Sequence, residues 1–262
     1  MVLPGQFLER SVVVRSGALL LDGLYHRGDQ RPPCVLAAPH PALGGSMLAP
    51  VIAELAWALT QAGHATLRFD YRGVGASQGT SRQVALQAAR PRAAGSPLQP
   101  LAELSDEAED LLAAAELLIA TTEGPLCAIG YSFGAGVALS QAADPRFDRL
   151  VLVAPPSALI DFAALAQVDK PMLIACPAED PLCDRAGLQQ LIGPLGGKAR
   201  LAVIPESDHV FRRGLPELGH EVVRWLGSTP RRDREARPAI RSNLEELELD
   251  EGEGPALELE DG

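Results

Sequence analysis

Short apolar runs alternate with helix-patterned segments along most of this chain, and few folds accept that order. The runs "PPCVLAAPH" (32–40), "HATLRFDY" (64–71), "PLCAIG" (125–130), "RLVLVAP" (149–155), "KPMLIACPAED" (170–180) and "ARLAVIPESDH" (199–209) read as strands, some with their exit loops. Between them, residues 47–63, 104–120, 133–143, 185–197 and 215–227 place apolar residues at helical spacing, and 157–166 reads as a weak helix or loop. A Ser or Asp cap with acids in the first turn opens the helix at 104–120. Strands that alternate with helices imply right-handed crossovers and a mainly parallel sheet. Such a sheet is covered on both faces, which accounts for strands that are apolar throughout. Before it, "QFLERSVVV" (6–14) and "ALLLDGLYH" (18–26) flank "RSG", a hairpin that adds antiparallel strands at one edge. The expectation is an α/β fold with about eight strands and helices on both faces.

The 262 residues suit one large α/β domain or two small ones, and 47% apolar content is enough for a sizeable core. The net charge of −11 argues against a nucleic-acid partner, which needs a basic face. Nine acids and no base fall in 244–262, and 231–241 holds five Arg against two acids. From about residue 229 the chain has no aromatic residue and many charges, so 1–228 is expected to be the folded domain and 229–262 an acidic disordered tail. A homodimer and a protein partner for that tail stay open. Cys34, Cys127, Cys176 and Cys183 form no zinc pattern and read as small buried hydrophobes in a reducing compartment. No metal or organic cofactor is expected. Nothing at the N-terminus reads as a signal peptide and no run of about 20 apolar residues could span a membrane, so a cytoplasmic location is expected, with no membrane partner.

Chemistry in an open parallel sheet sits at the carboxyl ends of the strands. Three strand exits carry suitable groups, in the order Ser132, Asp180, His209. Ser132 stands in "GYSFG" (130–134), a Gly-x-Ser-x-Gly between a strand and a helix. Such a turn projects the serine from a strained position, and the glycines avoid collisions there. A serine hydroxyl needs an imidazole to take its proton and a carboxylate to orient that imidazole. His209 is the histidine on the loop after the last strand. His64 and His220 read as surface residues and His26 as the end of an edge strand. Glu179 and Asp184 compete with Asp180 for the carboxylate role, and Asp208 reads as solvated. Gly73, Gly75 and Gly79 follow a strand, but their spacing is not that of a dinucleotide loop; they read as a structural turn beside the site, with Arg72 tying loops together.

The blocks "APHPALGGSM" (38–47), "LRFDYRGVGASQG" (67–79), "GYSFGAGVAL" (130–139), "AED" (178–180) and "SDHVFRRG" (207–214) occur in this order. In them the chain resembles the α/β-hydrolase superfamily, and more narrowly small lid-less bacterial serine hydrolases related to dienelactone hydrolases and carboxylesterases. The resemblance spans roughly residues 10–227 and departs at Ala38 and Leu43, where such relatives often have His. It implies Ser132 as nucleophile, Asp180 as acid and His209 as base. The amide of Phe133, and that of His40 between two prolines that have no N–H, are the expected oxyanion donors. Pro41, Leu43, Tyr131 and Leu182 are the expected pocket wall. Only residues 156–169 separate two strands where many relatives insert a lid, so an open pocket for a small-molecule acyl substrate is expected. The implied reaction is cleavage of a carboxylic ester or thioester through an acyl-enzyme. An acyltransferase with the same Ser and a non-catalytic scaffold are the alternatives.

Overall fold

The computed structural model describes residues 8–80, 104–157, 165–195 and 197–228. The irregular insertion expected at 80–100 and the tail expected from 229 lie outside the described residues, apart from residue 80. Eight strands form one sheet: β1 (Arg10–Ser16), β2 (Leu19–His26), β3 (Gln30–Ala37), β4 (His64–Phe69), β5 (Leu126–Tyr131), β6 (Phe147–Val153), β7 (Met172–Pro177) and β8 (Ala199–Ile204). Their order is β1-β2-β4-β3-β5-β6-β7-β8. The hairpin pairs antiparallel, with Gly17 at positive φ in its turn, and β2 joins β4 antiparallel. All later pairings are parallel. The α/β sheet read from the strand–helix alternation is the one observed.

Successive residues of a strand point to opposite faces, and the core divides accordingly. On β5, Leu126 and Ala128 join one apolar cluster while Cys127, Ile129 and Tyr131 join the other. On β7, Met172, Ile174 and Cys176 alternate in the same way with Leu173 and Ala175. Helix α1 (Pro50–Gln61) supplies Val51, Ile52, Leu55 and Leu59 to the second cluster, beside Leu218, Val222 and Trp225 of α5 (Leu215–Ser228). Helices α2 (Ser105–Thr121) and α3 (Phe133–Ser140) cover the opposite face through residues such as Leu111, Leu118 and Val137, and α4 (Arg185–Ile192) adds Leu188 there. Both faces of β4, β5 and β7 are therefore buried along their whole length.

Polar side chains at the end of β4 hold the neighbouring loops. Arg68 pairs with Glu9 and donates to the Met47 carbonyl at 2.8 Å, while Asp70 Oδ1 accepts the Met47 amide at 2.7 Å. Burial pushes the Asp70 carboxyl up despite that hydrogen bond. Arg72 forks onto Asp110 of α2, with Nη2 at 2.8 Å and Nε at 3.1 Å, and the same carboxylate accepts the Arg72 amide and the Ser16 hydroxyl. The turn after β4 is thus a structural one anchored by Arg72, as its glycine spacing suggested.

Three local readings are corrected. Helix α2 begins with Leu104 at its cap position and has no side-chain cap, because leucine carries no acceptor; its acids Asp106, Glu109 and Asp110 pair with Arg72. His64 is buried, not on the surface; its Nδ1 lies 2.8 Å from the Pro32 carbonyl, and burial lowers its pKa. His26 ends β2, which lies inside the sheet between β1 and β4, not at the edge. Asp110 is fully buried with three groups bonded to it, so Asp110→Ala is expected to cost about 3 kcal/mol. Glu109→Gln, at an exposed partner of the same arginine, is expected to cost under about 1 kcal/mol. Urea unfolding midpoints of the two variants measure the difference.

Candidate active site

The site is built on the turn between β5 and α3. Ser132 sits there at φ 54° and ψ −116°, a conformation that side chains other than glycine rarely adopt. Two backbone bonds hold it: its amide donates to Val153 of β6 at 2.8 Å, and its carbonyl accepts from Ala135 at 2.9 Å. The flanking glycines are required by close approach. A Cβ at position 130 would stand 2.0 Å from the Gly134 carbonyl oxygen, and one at 134 would stand 2.3 Å from that of Ala37. Gly134 therefore lets α3 press against the end of β3, and the loop that leaves β3 comes to lie beside Ser132. There the His40 ring packs 4.5 Å from the ring of Phe133.

The carboxyl ends of β7 and β8 complete the arrangement. Ser132 Oγ lies 3.0 Å from His209 Nε2, and His209 Nδ1 lies 2.7 Å from Asp180 Oδ2. The contact with a carboxylate places the ring proton on Nδ1 and leaves Nε2 to accept the serine proton. The Asp180 side chain is 0% exposed and that of His209 19% exposed, so the carboxylate is shielded while the imidazole and the half-buried Ser132 keep access to solvent. The second oxygen of Asp180 accepts the Leu182 amide at 2.8 Å. The competing acids are placed elsewhere: Glu179 is exposed, and Asp184 caps α4 by accepting from the Gly187 amide. Asp208 accepts the Arg212 amide at 3.0 Å and is part of the loop's structure.

Comparisons with known proteins bear on the fold and the family. A family model described as "Serine aminopeptidase, S33" matches residues 44–161. An alpha-beta serine hydrolase homologue from Coxiella burnetii is 26% identical with a TM-score of 0.67, covering 86% of this chain and 98% of its own. A serine hydrolase without a lid from Xanthomonas campestris is 26% identical with a TM-score of 0.64, covering 88% and 100%. A dienelactone hydrolase from Anabaena variabilis is 24% identical with a TM-score of 0.67, covering 86% and 99%. The chain belongs to the α/β-hydrolase superfamily. Fold and family support a hydrolase. Among the described residues this α/β hydrolase has no helix long and apolar enough to cross a membrane, and no cluster of three His, Cys, Asp or Glu that could hold a metal ion.

The remaining expected residues of this hydrolase differ in burial and in partners. Pro41 is buried at the start of a single turn of 3-10 helix over Pro41–Leu43, and His40 Nδ1 accepts the Ala42 amide of that turn at 3.0 Å. Leu43 is 87% exposed and Leu182 is 50% exposed, so neither is the buried wall expected of it. Tyr131 is 5% exposed, and its hydroxyl donates to the His209 carbonyl at 2.9 Å. It anchors the histidine loop, a role that nothing in the "GYSFG" pattern signals. Burial, followed by the charges of Asp180 and Asp208, pushes its pKa up to about 12, so the phenol keeps its donor proton through neutral and mildly alkaline pH. Two further bonds fix the loops that carry the acid and the base to each other: Ala178 N to Ile204 O and Glu179 N to Ser207 O, both 2.9 Å. Tyr131→Phe removes one neutral hydrogen bond from this support. It is expected to lower turnover of an activated ester by up to about tenfold with little change in melting temperature, measured by steady-state kinetics beside a thermal scan.

Proposed function

We propose that this chain is a serine hydrolase that cleaves a carboxylic ester or thioester of a small acyl group through an acyl-enzyme. The observation that carries the reading is the unbroken relay at three strand exits, 3.0 Å from Ser132 to His209 and 2.7 Å from His209 to Asp180. Ser132 Oγ attacks the carbonyl carbon as Nε2 of His209 takes its proton. Asp180 holds the imidazolium that forms, and the proton then goes to the leaving group. The amide of Phe133, the residue after the nucleophile, and that of His40 are assigned to the oxyanion. Water, activated by the same imidazole, releases the acid. A cytoplasmic location fits the four free thiols.

Ser132→Ala is expected to abolish hydrolysis of p-nitrophenyl acetate while the protein stays folded by circular dichroism. Asp180→Asn is expected to reduce turnover by about 10⁴, because the imidazole loses the partner that sets its tautomer. Wild-type turnover in Ser132→Ala would remove the reading.

The exposed apolar rim of Leu43, Leu182 and Val210 supports an open pocket. Each well-buried methylene contributes about 0.8 kcal/mol, roughly fourfold in binding. That gain accumulates only as far as the wall extends. The kcat/KM on p-nitrophenyl esters is therefore expected to peak between about C2 and C6 and fall beyond, and a rise continuing to C12 would show a deep tunnel in place of the open rim.

A further inference from the structure

The four cysteines of this chain meet in two pairs, and the pairs differ in access. Cys34 and Cys127 are register neighbours on the parallel strands β3 and β5, both fully buried. Cys176 ends the core-facing row of β7, and its Sγ lies 2.6 Å from that of Cys183. Cys183 is 7% exposed and lines a surface cavity of about 550 Å³ together with Pro177, Asp184 and Gln189. Between the two cysteines, residues 178–182 form the loop that carries Asp180. A disulfide needs the sulfurs at about 2.05 Å, so a small side-chain adjustment is enough to join them from 2.6 Å.

We infer that Cys176 and Cys183 are a modification site, a dithiol that a hydroperoxide converts to an intramolecular disulfide stapling the Asp180 loop to β7. The cavity brings the oxidant to Cys183 first. Its sulfur takes one oxygen from hydrogen peroxide; the O–O bond breaks, a sulfenic acid forms and one water leaves. The sulfur of Cys176 then attacks the Cys183 sulfur. The S–O bond breaks, the S–S bond forms and a second water leaves with the Cys176 proton. Two thiols are oxidised by two electrons, and one peroxide is reduced to two waters. The hydrogen bond with Cys183, reinforced by burial, holds the Cys176 thiol in its protonated form. A thiol held protonated reacts slowly beside an exposed thiolate, as suits a staple that forms under sustained oxidant and is undone by a dithiol reductant. The sulfurs touch while Asp180 is bonded to His209, so the new bond holds the loop in its engaged arrangement. That consequence rests on the reading of Asp180 as the triad acid; formation of the bond does not.

The test uses the full chain treated with hydrogen peroxide, then alkylated with iodoacetamide under denaturing conditions and cut with trypsin. Lys170 precedes Pro171 and resists cleavage, so both cysteines fall on the peptide 150–185. That peptide is expected to be unalkylated and lighter by two hydrogens than the dithiol form, and to regain two alkylation sites after dithiothreitol. The melting temperature of the oxidised chain is expected to rise by roughly 5 °C, from the entropy that a closed short loop removes from the unfolded chain. Cys183→Ser is expected to show neither change. Alkylation at both Cys176 and Cys183 after oxidation would overturn the inference, as would an equal rise in the Cys183→Ser variant or a bond formed without any rise. None of these readouts uses a substrate, so they stand apart from the outcome at Ser132.

Discussion

The close contact between the turn at Ser132 and the end of β3 is the constraint on which the site depends. A strand that must become a helix within one residue can do so only if backbone meets backbone. Gly130 and Gly134 permit this, with ideal Cβ positions 2.0 Å and 2.3 Å from carbonyl oxygens. The gain from that proximity is positional. It places the amide end of α3, the loop through His40 and the serine hydroxyl around one point, with no long side chain needed to span the gap. The strain at Ser132, of order 1–3 kcal/mol for such a backbone, is borne by the β6 carbonyl that binds its amide and by a helix whose described core positions are all buried.

The same pattern of local strain held by ordered surroundings recurs along this edge of the sheet. Among the described residues, the non-glycine positions with positive φ are Ser132, Ala154, Glu206 and Phe211. They follow β5, β6 and β8, all at carboxyl ends. Ser132, Ala154 and Glu206 redirect the chain where it leaves the sheet, and Phe211 redirects it further along the His209 loop. Phe211, almost fully buried, closes the His209 loop against Tyr131 at a ring separation of 6.3 Å. The hydrogen bonds from Ala178 and Glu179 to the β8 exit then join the acid loop to the base loop. The distances within the Ser132, His209 and Asp180 relay are consequences of these backbone bonds more than of the three side chains themselves.

The order of elements and the positions of Ser132, Asp180 and His209 were legible in the sequence because they depend on local signals. Strands buried on both faces are apolar throughout, a tight turn needs glycine, and groups at successive strand exits converge by topology. What was not legible depends on tertiary partners. His64 lies at the start of an apolar strand and reads as a surface residue until β3 supplies the Pro32 carbonyl that receives its ring. Ser105 reads as a helix cap, yet the helix starts one residue earlier, with Leu104 at the cap position and Ser105 inside the first turn. Tyr131 reads as a pocket wall because it adjoins the serine, yet side chains alternate along β5 and its own side chain belongs to the opposite face, beneath His209. The pairing of Cys176 with Cys183 crosses a loop whose path no spacing rule describes.

Rigidity and openness are divided between two sets of residues at this edge. Asp180, Tyr131, Ser207 and Phe211 are buried side chains whose hydrogen bonds or ring contacts hold the relay. Leu43, Leu182 and Val210 are at least half exposed on the loops after β3, β7 and β8. Apolar surface left in water on these loops is an unfavourable arrangement for the free protein, by about 25 cal/mol for each square ångström that a partner could cover. On the proposed reading, an acyl chain is that partner, and covering the rim is what holds its carbonyl against Ser132. Selectivity then comes from how far the rim extends along the chain, since the relay beneath it is already assembled before substrate arrives.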